Sequence, residues 1–134
     1  MDMINMNKTE IVQQLGNQIR FYIYRIPKKN HDKMVQNQKE FTNAFRKEGG
    51  DYKSFQLESH GVPEGFTSIS TILSAKPEEE VWMDLELYRD ANQMDDVTSK
   101  LMDDKIALSL MRQYLGLLSP GSNPIRAEFR HFER

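Results

Sequence analysis

The segment IRFYIYRIP, residues 19–27, constrains the fold most strongly. It is rich in β-branched and aromatic residues, which predicts a strand that ends at the proline, where no backbone N–H is available. Successive side chains of a strand point to opposite faces of the sheet, and both faces carry large groups here. One face has Ile19, Phe21 and Ile23, and the other has Arg20, Tyr22, Tyr24 and Ile26. We therefore expect both sides of this strand to be covered.

Three segments have helical periodicity. The first follows Pro27, and Asn30 is its candidate N-cap. Its apolar stripe is interrupted by Gln38. That stripe consists of Met34, Phe41 and Phe45. In the second helix Asp90 is the candidate cap, and the expected inward positions are Met94, Val97 and Leu101. In the third they are Ile106, Leu110, Tyr114 and Leu118.

Four further segments predict strands, at residues 51–59, 67–75, 81–88 and 125–132. Pro63, flanked by two glycines, predicts a turn that joins the first two of them. The resulting order β, α, β, β, β, α, α, β favours the α+β class, with helices on one face of an antiparallel sheet. Its split β-α-β units are those of ferredoxin-like folds.

Composition restricts the classes of protein. The chain of 134 residues has no cysteine, which excludes a disulfide framework, thiolate catalysis and cysteine-based metal sites. Its net charge of −2, with both signs spread along the chain, disfavours nucleic acid as a partner. We see no secretory signal and no run long enough for a membrane helix, so we expect a cytoplasmic protein with no membrane contact.

The first 17 residues are polar and rich in methionine. We predict that residues 1–17 form an N-terminal extension, in which Thr9 could cap a short helix with Ile11, Val12 and Leu15 on its apolar side. Residues 18–134 are then a single ferredoxin-like domain.

Four short motifs resemble those of the YbaA-like proteins, an uncharacterised family within the dimeric α+β barrel superfamily. They are IPKKN at residues 26–30, VPEG at 62–65 followed by Thr67-Ser68, YRDAN at 88–92 and KLMDD at 100–104. The family usually has an acidic pair where this chain has His60-Gly61, Ser-Phe-Pro where it has Ser68-Ile69-Ser70, and a glycine pair where it has Ala127-Glu128. A site that used the acidic pair would be altered here.

The resemblance implies a ferredoxin-like protomer whose sheet packs against that of a second copy, a dimeric α+β barrel. It implies no established reaction. Relatives elsewhere in the superfamily include cofactor-free monooxygenases, haem-binding enzymes and isomerases, and a transfer of those activities would be fold-level analogy.

Candidate site residues are few. His60 has the chemistry of a general base near a pocket mouth, but a solvated turn residue is the simpler interpretation. The aromatic residues Tyr22, Tyr24 and Trp82 favour packing or a dimer seam over an aromatic ligand pocket. Arg20 and Asp84 are expected to form a structural ion pair, with the orientation of a ligand carboxylate as the alternative. No metal-ligand spacing is present, and His31 and His131 are expected at the surface.

These observations favour a homodimer without a cofactor, with a small molecule as candidate ligand. The alternative is a cofactor-independent enzyme of the monooxygenase or isomerase type, which needs a concave pocket with converging polar groups. A nucleic-acid-binding role is the third hypothesis, and the charge balance disfavours it.

Overall fold

A computed structural model describes residues 16–133. The strands are β1 (Gln18–Pro27), β2 (Asp51–Gln56), β3 (Glu79–Tyr88) and β4 (Ile125–Arg130). The helices are α1 (His31–Lys47), α2 (Ile69–Ile72), α3 (Ala91–Met102) and α4 (Lys105–Leu117), and one 3₁₀ turn, Lys28–Asn30, precedes α1. The predicted N-terminal helix with its Thr9 cap lies outside the described residues.

The four strands form one antiparallel sheet in the order β2-β3-β1-β4. With two longer helical connections on one side, this is the ferredoxin-like α+β fold that the element order predicted. The two central strands, β1 and β3, pair from Gln18 with Tyr88 to Pro27 with Glu79. This pairing fixes which side chains of the two strands are neighbours.

The helices cover the more polar face of the two central strands. On β3, Trp82, Asp84, Glu86 and Tyr88 are buried, whereas Met83, Leu85 and Leu87 on the other face are only half-buried. On β1, Arg20, Tyr24 and Ile26 are buried in the same way. The side chains beneath the helices therefore include two carboxylates and a guanidinium, which must be paired to be tolerated there.

The opposite face of the sheet is mostly apolar, with Asp51 and Lys53 on its edge strand β2, and carries no helix among the described residues. We call it the open face; its large apolar members are Ile19, Phe21, Ile23, Phe55, Met83, Leu85, Leu87, Ile125 and Phe129. Phe129 is 53% exposed and stacks on Phe21, with ring centroids 5.4 Å apart. A contiguous apolar surface of this kind is typical of an interaction site.

The predicted strand at residues 67–75 is wrong. Ile69–Ile72 form a single helical turn, in which the Ser68 side chain accepts a hydrogen bond from the backbone N–H of Ser70. β2 pairs directly with β3, so this segment does not lie between them in the sheet. A β-branched composition favours a strand only where a neighbouring strand is available to pair with it. The Pro63 turn thus lies within a long connection, residues 57–78, and is not a hairpin; Gly65 adopts a positive φ of 91° there.

Two details of the helices also differ from expectation. Asn30 stands at the start of α1, but its side-chain amide donates to the backbone oxygen of Leu117 at 3.0 Å and makes no cap. Ile106 is 69% exposed, and Ala107 takes the buried position instead. The reason is the Asp104 cap, which accepts from the N–H groups of both residues and sets where α4 begins.

The remaining core predictions are confirmed. Met34 and Phe45 of α1 are buried, and Phe41 is half-buried against Phe45 at a ring-centroid distance of 5.2 Å. Met94, Val97 and Leu101 of α3 are all buried, and Asp90 caps that helix by accepting from the N–H of Gln93.

Candidate functional site

A pocket of about 310 Å³ lies between the helix face of the sheet and helices α1, α3 and α4. Its apolar walls are Phe41, Phe45, Leu101, Met102, Met111, Leu115 and Pro124. Its polar lining groups are Arg20, Tyr22, Gln38, Tyr52, Glu86, Thr98, Tyr114 and Arg126. Met102, Met111, Leu115 and Arg126 are exposed, so they mark the mouth, and the buried polar groups form the floor. A mostly apolar pocket with a few polar groups is the usual form of a small-molecule site.

Arg20 on the pocket floor is held by two carboxylates. Its guanidinium contacts Glu86 at 3.2 Å and Glu128 at 3.0 Å, and it also donates to the Thr98 hydroxyl at 3.2 Å. The Tyr88 hydroxyl donates to Glu86 at 2.7 Å. Burial acts to lower the pKa of Arg20, but the nearby carboxylates, of which Glu86 has the largest effect, outweigh burial and raise that pKa. The floor thus holds a charged group most of whose donors already have partners.

The expected partner of Arg20 was Asp84, and this is wrong. The register of the two central strands places Arg20 opposite Glu86, and places Asp84 opposite Tyr22. Because side chains alternate between faces, a partner two residues away along β3 was equally compatible with the sequence pattern.

Asp84 forms a second polar group, directly beneath the floor. It is fully buried, and its carboxylate accepts from the Tyr24 hydroxyl at 2.8 Å, from the Tyr52 hydroxyl at 2.5 Å and from the Gln38 amide at 2.7 Å. Burial raises the pKa of Asp84 to about 6, although the hydrogen bonds from the two tyrosines act in the opposite direction. We call these four residues, Tyr24, Gln38, Tyr52 and Asp84, the aspartate network.

Two tyrosines of the lining have hydroxyl groups suited to a ligand. Burial, with the Glu86 carboxylate nearby, raises the pKa of Tyr22 to about 12. Burial and the charge of Asp84 also raise the pKa of Tyr114. The Tyr114 hydroxyl oxygen is buried and has no hydrogen-bond partner within residues 16–133. A buried hydroxyl without a partner is costly, so it favours a bound polar atom beside it.

The structure brings together some of the residues predicted from the sequence and separates the others. Arg20 and Tyr22 line the pocket, and Tyr24 and Asp84 lie one layer behind it. Trp82 packs elsewhere, with Tyr24, Ile26, Met34 and Leu118, and its indole N–H donates to Glu80 at 3.0 Å.

His60 lies on the exposed connection between β2 and β3, outside the pocket lining, where its ring contacts the Ser70 hydroxyl. Its role as a general base stays a prediction. His31 is partly exposed, and its hydrogen bond to Glu80 at 2.8 Å raises its pKa. Residues 16–133 contain no group of three or more acidic or histidine side chains that could hold a metal ion.

Sequence reasoning missed six polar residues of the lining: Gln38, Tyr52, Glu86, Thr98, Tyr114 and Arg126. Only Gln38 gave a signal, as a polar side chain within the apolar stripe of α1; an amide at such a position has to find polar partners once buried. Tyr114 was predicted only as an inward position of its helix, and the other four were given no role.

Comparison with protein families gives a match over most of the chain. A family model described as a protein of unknown function, DUF1428, matches residues 17–113. No curated protein matches the chain. No described helix is long and apolar enough to cross a membrane.

Solved structures of similar fold include a conserved protein of unknown function from Bacteroides thetaiotaomicron, described as a possible oxidoreductase. It is 16% identical, with a TM-score of 0.52 over 86% of this chain and 98% of that chain. A putative antibiotic biosynthesis monooxygenase from Nitrosomonas europaea is 8% identical, with a TM-score of 0.52 over 88% and 93%. A variant of SnoaB, a cofactor-independent oxygenase from Streptomyces nogalater, is 10% identical, with a TM-score of 0.50 over 89% and 97%. At these identities the similarity shows the fold alone.

Proposed function

The chain belongs to the DUF1428 family of proteins of unknown function, and we propose that it is a homodimer that binds a small molecule in the pocket beneath its helices. The observation that carries this proposal is the combination of apolar walls with a buried polar floor. A volume of about 310 Å³ is at the lower end of the range for ligand pockets, which suits a planar molecule of one or two rings. The IPKKN, VPEG, YRDAN and KLMDD motifs support a YbaA-like member of the family, and the cysteine-free sequence supports a cytoplasmic location.

The methionines of the chain allow a direct test of the pocket. In protein labelled with ¹³C at the methionine methyls, titration with 2-naphthol should shift the signals of Met102 and Met111, which line the pocket. The signals of Met34, buried in the other core cluster, and Met83, on the open face, should stay in place. Shifts of all four together, or of none, would contradict the proposal.

A pair of matched variants makes the pocket test stricter. Met111→Trp should fill the mouth and weaken 2-naphthol binding by at least about tenfold, equivalent to about 1.4 kcal/mol. Ile106→Trp introduces the same side chain on the same helix, at a position that is 69% exposed and outside the pocket lining. The affinity of Ile106→Trp for 2-naphthol should equal that of the wild type. The methyl signal of Met102 reports binding in both variants.

The open face supports the homodimer. Within residues 16–133 helices cover only one side of the sheet, and a second copy would bury the other side through an isologous two-fold contact. Aromatic and aliphatic groups on both central and edge strands are half-buried or exposed there, including Phe55 at 45% and Phe129 at 53%. Such a surface is more apolar than most monomers present to water.

We expect sedimentation at micromolar concentration to give about twice the 15.7 kDa chain mass. Leu85→Lys places a charge at the centre of the open face and should give the single chain mass, because an unpaired charge in the interface is costly. Ile106→Lys, the same change on the exposed side of α4, should remain dimeric. A wild type that sediments at 15.7 kDa would exclude the dimer.

A cofactor-independent monooxygenase- or isomerase-like enzyme is the second candidate. The observation that favours it is the 2.5 Å hydrogen bond between Asp84 and Tyr52, because Tyr52 also lines the pocket. A carboxylate with a pKa of about 6 can take the Tyr52 hydroxyl proton near neutral pH, while the Tyr52 oxygen takes the proton of a substrate C–H in the pocket. Wild-type protein should then accelerate deuterium exchange at the acidic C–H of 2-tetralone, and Asp84→Asn should not. Equal rates for the two proteins would remove this candidate.

A further inference from the structure

Resting on the proposed pocket, we infer that the ligand is an uncharged molecule carrying a hydroxyl or carbonyl oxygen, and that carboxylates are rejected. The inference starts from Arg20, the buried cation of the floor. Its side chain is 8% exposed, and its guanidinium already contacts Glu86, Glu128 and Thr98. A ligand carboxylate would compete with both protein carboxylates for the guanidinium, and displacing Glu86 would leave that group buried without its cation.

The remaining charges near the pocket also disfavour an anion. Glu86 lines the pocket and is 3% exposed, and Asp84 lies directly behind Tyr52. Arg126 is the other cation of the lining, but its side chain is 52% exposed and contacts Glu128 at 3.2 Å. An exposed cation that is already paired attracts an anion weakly. An entering carboxylate thus meets buried negative charge without a free cation among the lining residues.

The Tyr114 hydroxyl provides the complementary contact. It is buried and unpartnered within the described chain, and it lines the pocket beside the apolar side chains of Met111 and Leu115. A neutral phenol can both donate and accept, so it matches a hydroxyl or carbonyl oxygen equally well. A ligand oxygen at this place would satisfy a group that the fold leaves without a partner.

Three ligands that share one ring system test this inference: 2-naphthol, 2-naphthoate and naphthalene, titrated at pH 7 with the Met102 and Met111 methyl signals as readout. The dissociation constant of 2-naphthol should be at least about tenfold lower than that of 2-naphthoate, a difference of about 1.4 kcal/mol. Comparable or tighter binding of 2-naphthoate would overturn the inference and leave the pocket standing. Absence of binding by all three would overturn the pocket as well.

Tyr114→Phe tests the named contact. It should weaken the binding of 2-naphthol by about three- to tenfold, as expected for the loss of one neutral hydrogen bond, and leave the affinity for naphthalene unchanged. The melting temperature should not fall, because the hydroxyl has no partner in the described chain to lose. Equal losses for both ligands, or none for 2-naphthol, would show that Tyr114 does not recognise the oxygen.

Discussion

Replacing Arg20 with Met is expected to lower the free energy of unfolding by about 3–5 kcal/mol, the cost of breaking a buried ion pair from one side. The variant leaves Glu86, which is 3% exposed, without the guanidinium that now lies 3.2 Å away. Methionine has a similar length, so the loss should reflect the orphaned charge more than lost packing. Urea unfolding at one fixed protein concentration measures it, because a dimer's stability depends on concentration.

Two further variants separate charge from packing. Arg126→Met removes a cation that contacts the same Glu128 but is 52% exposed, and it should change stability by less than about 1 kcal/mol. Adding Glu86→Gln to Arg20→Met should recover part of the loss, because no buried charge then remains unpaired at that position. A double variant as unstable as Arg20→Met alone would mean that packing, and not charge, dominates.

The sequence predicted the sheet well because the relevant signals are local. The alternation in residues 19–27 and 81–88 is a direct consequence of strand geometry, and each strand lies where it was expected. The assignment failed at residues 67–75, where β-branched composition resembled a strand. Strand formation there depends on a partner elsewhere in the chain, and a single window of sequence does not contain that information.

Which face of the sheet the helices cover was less predictable than where the strands lie in the sequence. The alternation in β3 separates an apolar side, Val81, Met83, Leu85 and Leu87, from a side that carries Trp82, Asp84, Glu86 and Tyr88. The alternation alone does not determine which side the helices cover. In the structure the helices cover the second side, and both carboxylates lie beneath them. Pairings with Arg20, Tyr24, Tyr52 and Gln38 make that burial tolerable, and they depend on strand register and on the rotation of α1.

The pocket itself was anticipated only in part for the same reason. Arg20 and Tyr22 were selected as candidates because they share one face of a strand, which a period of two makes visible. Gln38 and Tyr114 come from two different helices, and their convergence on the same floor depends on how α1 and α4 pack against the sheet. Helix periodicity gives the stripe that faces inward but not the strand it meets.

Asp84→Asn is expected to change the pH dependence of stability in one direction. The pKa of Asp84 is raised from 3.8 to about 6 in the folded protein, mainly by burial. The folded state therefore binds more protons than the unfolded state between these values, and stability must fall as pH rises through about 6. From about pH 4 to pH 8 the wild type should lose roughly 2–3 kcal/mol through this group. Asparagine does not titrate, so the variant should lack this fall.

The measurement is the difference between the two unfolding free energies as a function of pH. Other groups whose pKa differs from its usual value, such as His31 and Glu79, are present in both proteins and cancel in the difference. The hydroxyls of Tyr24 and Tyr52 have raised pKa values and stay protonated, so Asp84 alone should titrate within the aspartate network. Asp96→Asn, at a side chain that is 61% exposed, is the matched control and should track the wild type. A difference that stays constant with pH would mean that Asp84 remains ionised throughout, and the network would then be a fixed anion with no proton to exchange with the pocket.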